Sequence, residues 1–172
     1  MKIYDNFLPR ENHNKLWKTL TYEDFNWSYS DGMDYDGQPN LYQFCHVFYD
    51  HGDSVITDLT DRIRNLYDDI SFLRIKSNLN PSTTEHIQLG MYHVDIPNVH
   101  TAIYYVNGNN GYTAFENGEI VHSKSNRLVI FDSNTKHVGF SCTDEKIRIV
   151  INFNFEDSNF DWNTMVPSFL KS

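Results

Sequence analysis

His93-Val94-Asp95-Ile96-Pro97-Asn98 is the stretch on which the reading of this chain turns. One β-patterned run, Ile87–Tyr92, ends just before it, and another, Thr101–Val106, begins just after it. Side chains two apart on extended backbone point the same way, so His93 and Asp95 can face one ion. Further on, His137 follows the turn residues Asn134-Thr135-Lys136, and Arg148 comes eleven positions after it. Two imidazoles and one carboxylate supply three ligands and leave other coordination positions open. That is the 2-His-1-carboxylate facial set of a non-haem Fe(II) site. A buried guanidinium at Arg148 could hold a small dicarboxylate by paired hydrogen bonds.

Taken singly, these residues say little. About 0.7 His-x-Asp triplets are expected by chance in a chain of this composition, so the triplet alone is weak. A second one, His51-Gly52-Asp53, precedes an amphipathic stretch and reads as a helix start with Asp53 as its cap. His137 alone would be a hydrogen-bonded strand histidine. Arg148 is set apart by its neighbours. Ile147, Ile149 and Ile151 share one face of its strand, and Val150 shares its own. A strand buried on both sides leaves a lone guanidinium in need of an anion.

The remaining features bound the answer. With 172 residues, a single domain over 1–172 is expected. A hydrophobic share of 40% is offset by 15% aromatics, which bury much area each. The net charge of −9 and the scattered 14 cations argue against nucleic acid as a partner. No window reads as a signal peptide or membrane span, so a cytoplasmic location is expected, which also suits ferrous iron. Cys45 and Cys142 have neither CxxC nor zinc spacing and read as small buried thiols, with a disulfide as the alternative. A monomer is the default expectation.

Two helices are expected. The first covers about 9–20, with Pro9 in its first turn and Leu16, Trp17 and Leu20 on one face. The second is capped by Asp53 or Ser54 and carries Val55, Ile56, Leu59, Ile63, Leu66 and Ile70 at helical spacing. Strands are expected at Asn26–Ser30 and Leu41–Tyr49, around a loop. From Ser71 the period is two: Phe72–Leu79, Ile87–Tyr92, Thr101–Val106, Tyr112–Phe115, Glu119–His122, Arg127–Phe131, Val138–Cys142 and Ile147–Phe155. Turn sequences such as Asn117-Gly118 separate them. The fold class is therefore mostly β with N-terminal helices: helical support over about 1–70 and a metal-binding β core over about 71–155. A double-stranded β-helix, or jelly roll, with helices packed on one sheet fits this order.

These residues together resemble a known family. His93-Val94-Asp95-Ile96-Pro97-Asn98 followed by Thr101-Ala102-Ile103-Tyr104-Tyr105-Val106-Asn107 is similar to the HVDxPN…TxIYYLN run of prolyl hydroxylase domains. Those belong to the prolyl 4-hydroxylase branch of the Fe(II)/2-oxoglutarate dioxygenases. Gly111-Tyr112-Thr113-Ala114-Phe115 resembles that branch's GGxTxF element, and Asn126–Phe131 its strand before the distal histidine. The compact form, with Asn109-Asn110-Gly111, resembles small phage-encoded members, which would place the protein in a host cytoplasm.

The resemblance implies that His93, Asp95 and His137 bind Fe(II) and that Arg148 pairs with the distal carboxylate of 2-oxoglutarate. Tyr105 would add a hydroxyl to that carboxylate, while Tyr104 would point into the opposite layer and pack. Many relatives carry a Tyr on the strand before the His-x-Asp loop. This chain has Ser77-Asn78-Leu79-Asn80 there, so Asn78 or Asn80 becomes the candidate donor. The implied reaction hydroxylates an unactivated C–H bond with O2 as co-substrate and succinate and CO2 as co-products, ascorbate serving as an accessory reductant. A peptidyl proline is the implied substrate, with the loops at 31–40 and 81–86 as lids. The alternatives are a free amino acid or other small metabolite, a nucleobase (disfavoured by charge), a non-catalytic β-barrel binding or structural module, and a cupin-type isomerase.

Overall fold

The computed structural model describes residues 1–31, 41–48, 53–67 and 69–157. In chain order the elements are β1 (Lys2–Asp5), α1 (Arg10–Leu20), β2 (Ser28–Asp31), β3 (Tyr42–Phe48), α2 (Thr57–Arg64) and β4 (Ile70–Pro81). They continue with β5 (Gln88–His93), β6 (His100–Tyr105), β7 (Tyr112–Phe115), β8 (Ile120–His122), β9 (Arg127–Asp132), β10 (His137–Phe140) and β11 (Ile147–Asp157). A seven-stranded sheet runs β1-β9-β6-β11-β4-β3-β2, and a four-stranded sheet runs β5-β10-β7-β8. Every pairing is antiparallel. From β4 onward the chain crosses repeatedly between the two sheets, as the jelly-roll reading requires.

Strand parity divides the core in two. Tyr104, Ile149, Ile151 and Phe153 join Leu16, Leu20, Leu59 and Ile63 in a cluster between the large sheet and the helices. Their neighbours Ile103, Tyr105 and Val150 join Phe115, Val121, Val129 and Phe131 in a second cluster between the sheets. Both faces of β6 and of the Ile149–Ile151 part of β11 are thus buried, which is why these stretches run nearly continuously apolar. Tyr104 packs in the helix layer as expected; its hydroxyl donates to Asn126 Oδ1 at 2.9 Å and lies 2.7 Å from His13 Nδ1.

Several boundaries differ from the sequence reading. β1 was not expected: an exposed four-residue strand has too little alternation to detect, and it forms by pairing with β9 and tying Asp5 to Arg127 and Lys124. The first 70 residues therefore contribute three strands to the large sheet as well as both helices. Pro9 is the N-cap of α1 (ψ 143°) rather than a residue of its first turn. The second helix spans only Thr57–Arg64 with Ile56 at its N-cap, and Ile70 opens β4 instead. Asp53 lies upstream, its carboxylate accepting from the Val55 N–H at 3.1 Å. Long pairing with β11 extends β4 at both ends, Ile70 and Ser71 facing Asp157 and Glu156, and Asn80 and Pro81 facing Arg148 and Ile147. The loop at 32–40, the end of the strand expected to reach Tyr49, and the tail from 158 lie outside the described residues.

Candidate metal centre and cavity

His93 is the last residue of β5, His137 the first of β10, and the two are register partners. Asp95 sits in the crossover two residues beyond His93. His93 Nε2 is 3.6 Å from Asp95 Oδ1 and His137 Nε2 is 3.9 Å from Asp95 Oδ2. One ligand atom from each of the three lies within 4.8 Å of the other two. Metal bonds of roughly 2.0–2.2 Å to nitrogen and carboxylate oxygen suit such a gap.

Outer contacts orient the three groups. His93 Nδ1 is 2.9 Å from the Met91 carbonyl, and His137 Nδ1 is 3.2 Å from the Thr135 carbonyl. A carbonyl only accepts, so each ring carries a proton on Nδ1 and turns Nε2 toward Asp95. Asp95 Oδ1 accepts from Arg74 Nη2 at 3.0 Å, and Oδ2 accepts from Asn154 Nδ2 at 3.4 Å. Burial pushes the Asp95 carboxyl up, but His93, Arg74 and His137 outweigh it and hold the group ionised well below the usual range. Burial also pushes the His137 pKa down, keeping that ring a neutral ligand. The hydrogen bond to Asp95 raises the His93 pKa against its burial, and a bound metal would displace that proton. An ionised carboxylate with two orienting donors and two imidazoles is a donor set that fits a divalent ion.

The three groups open into a cavity of about 340 Å³ whose far wall holds Arg148. That side chain is 3% exposed. Its Nε donates to Ser123 Oγ at 3.0 Å, and its Nη2 lies 3.3 Å from Thr113 Oγ1 and 3.5 Å from the Tyr112 carbonyl. Among the described residues no carboxylate pairs with it, and burial pushes its pKa down. A guanidinium enclosed without an anion fits a carboxylate ligand. Glycine keeps the approach open. A Cβ on Gly111 would sit 2.9 Å from Arg148 Cδ and 2.9 Å from the Phe140 carbonyl oxygen, so only glycine lets the arginine stem pass.

Tyr105 is fully buried behind this wall. Its hydroxyl donates to Thr113 Oγ1 at 2.8 Å, and its ring lies 5.8 Å from Arg148 Cζ. Thr113, which lines the cavity, thus accepts from both Tyr105 and Arg148 and keeps its own proton to donate inward. Asn78 and Asn80 both line the cavity on β4, and Asn80 is the register partner of Arg148. The sequence reading missed Thr113, Ser123, Arg74 and Asn154. Parity was the available signal: Thr113 shares its face with the buried Phe115, and Arg74 shares one with Asn78 and Asn80. The segment 81–86 is pinned to the far turn, with the Ser82 and Thr83 N–H groups each donating at 3.0 Å to Lys146 and Cys142 carbonyls.

No family model matches the chain, and no curated protein matches it by sequence. Solved structures do match its fold. The viral collagen prolyl hydroxylase of Paramecium bursaria Chlorella virus-1, as its 2OG complex, aligns with a TM-score of 0.59 at 15% identity, over 90% of this chain and 94% of that one. A Trichoplax adhaerens prolyl hydroxylase in complex with a hypoxia-inducible factor degradation-domain peptide aligns with a TM-score of 0.64 at 15% identity, over 96% and 87%. The non-heme alpha-ketoglutarate-dependent epimerase SnoN of nogalamycin biosynthesis aligns with a TM-score of 0.66 at 10% identity, over 91% and 78%. The chain has the jelly-roll fold of 2-oxoglutarate-dependent oxygenases, prolyl hydroxylases among them. No helix among the described residues is long and apolar enough to cross a membrane.

Proposed function

We propose that the protein is an Fe(II)- and 2-oxoglutarate-dependent dioxygenase that hydroxylates an unactivated C–H bond, with a peptidyl proline as substrate. The observation that carries the reading is the pairing, in one cavity, of the His93–Asp95–His137 cluster with a buried Arg148 that has no carboxylate partner among the described residues. In this reading His93, Asp95 and His137 would hold the metal beside the cavity. Arg148 and the Thr113 hydroxyl bind the distal carboxylate of 2-oxoglutarate, and Tyr105 and Ser123 hold those two in place. Asn78 and Asn80 border the cosubstrate from β4. Bound iron and 2-oxoglutarate supply the oxidation, and the chain supplies orientation and a partly enclosed cavity.

The proline assignment is supported by the motifs around His93 and by the prolyl hydroxylases among the structural neighbours, one of them bound to a peptide. Cys45 and Cys142 are free thiols, which suits a reducing cytoplasm where ferrous iron persists. A small-molecule substrate is the second reading, favoured by the polar character of the inner face of β4. The test incubates the protein with Fe(II), 2-oxoglutarate and proline-containing peptides. Succinate together with a peptide heavier by one oxygen is expected. Failure of metal and 2-oxoglutarate to bind would overturn the dioxygenase reading, and binding with no modified peptide would overturn the proline assignment.

A further inference from the structure

The inner face of β4 is an anomaly for a barrel interior. Arg74, Lys76, Asn78 and Asn80 all line the cavity, and Asn152 faces Lys76 from β11. Interiors with polar groups normally close their own hydrogen bonds. Here the carbonyl oxygens of Asn78 and Asn152 are buried with no donor. Arg74 is engaged by Asp95. Lys76 has no ion-pair partner among the described residues, although the chain carries a net charge of −9.

Charge sharpens the point. Among the described residues the cavity is lined by three cations (Arg74, Lys76, Arg148) and one carboxylate (Asp95). A divalent ion and a doubly charged 2-oxoglutarate cancel each other, so loading leaves two positive charges uncompensated among the described lining residues. An unneutralised charge in a partly desolvated space is costly unless an anion arrives with the next ligand.

We propose that the substrate carries a carboxylate and that Lys76, beside the metal end of the cavity, is the residue that binds it. The inference rests on the dioxygenase reading, because the cavity is free for substrate only if metal and cosubstrate take the Asp95 and Arg148 ends. Two sources offer the same chemistry: the α-carboxylate of a free proline-like amino acid, or an acidic side chain next to a proline in a peptide. Lys76 selects for the charge in either case, through an attraction that an uncharged analogue forfeits.

The test loads the protein with Mn(II) and 2-oxoglutarate and titrates it calorimetrically with two matched probes, N-acetyl-L-proline and its uncharged amide. The rise in melting midpoint on loading is recorded separately and reports on the dioxygenase reading itself. The acid is expected to bind at least tenfold more tightly than the amide. Lys76→Met should erase that difference, and Lys76→Arg should retain most of it. Circular dichroism and the loading increment of each variant check that it is folded and filled. Equal binding of acid and amide, binding of neither, or an undiminished preference in Lys76→Met would each overturn the proposal. Free L-proline and an Asp-Pro peptide blocked at both ends then distinguish the two sources.

Discussion

His93 and His137 stand directly opposite each other in the register of β5 and β10, their ring centroids 4.9 Å apart. A shift of one residue in that pairing would turn one ring to the other face of the sheet. Removing either ring should therefore destroy metal binding rather than tune it. For His93→Ala and His137→Ala we expect Mn(II) affinity to fall by more than the ~10–100-fold that outer contacts to a metal ligand are worth. Calorimetric titration measures it; a loss under tenfold for either variant would contradict the ligand assignment.

Arg148 should show opposite signs for stability and binding. Without ligand its buried charge is uncompensated by any carboxylate among the described residues, and replacing such a charge by an apolar side chain of similar length is neutral or stabilising. The ligand-free melting midpoint of Arg148→Met is expected to equal or exceed that of the unaltered protein. Its increment with 2-oxoglutarate should vanish while the increment with metal alone persists, since a ligand stabilises only the state that binds it. Equal loss of both increments would sink the assigned role.

Asn126 is a structural counterpart to these site residues. It has φ +61°, its Oδ1 accepts from the Leu8 N–H and the Tyr104 hydroxyl, and its Nδ2 donates to the Leu8 carbonyl. It thereby anchors the approach to α1 against the sheet. Asn126→Ala forfeits three hydrogen bonds, leaves buried partners unpaired and strains a left-handed backbone. A destabilisation of about 3 kcal/mol is expected in urea unfolding. Asn126→Gly should recover the backbone part and remain clearly less stable than the unaltered protein.

Asp5 links β1 to Arg127 of β9 (2.7 Å) and to Lys124 in the turn before it (2.8 Å), and those two cations hold its carboxyl well below the usual carboxylate range. Because the folded value is depressed, the stabilisation is present above the unfolded carboxylate pKa of about 4 and is lost as pH falls toward the folded value. About a third of the side chain is exposed, so solvent screening limits the effect to about 1 kcal/mol or less. The urea midpoint of Asp5→Asn should lie below that of the unaltered protein at pH 7, with the gap shrinking below pH 4. A gap that widens on acidification would contradict the account.

Much of this was legible along the chain. Alternation of period two located nearly every strand from β4 onward, and the twofold burial of β11 followed from Ile147, Ile149, Ile151 and Val150. The grouping of His93, Asp95 and His137 was anticipated from spacing and turn chemistry, and the structure brings them within a few ångströms. β1 was invisible because its order comes from its partner strand. The limits of α2 were misjudged because Leu66 and Ile70 continue the helical period past the point where the chain turns into β4.

By itself the sequence determined which residue types recur at which spacing, and hence a β-rich chain with a coherent set of candidate metal ligands. Only the tertiary structure decided which way each alternating strand faces. On β4 the side carrying Arg74, Lys76, Asn78 and Asn80 turns into the cavity, while Ile75 and Ser77 are buried on the other face. Parity along one strand fixes two faces but does not label them. The label comes from what the neighbouring strands and helices cover, and that is how Lys76, Thr113 and Ser123 became part of the site.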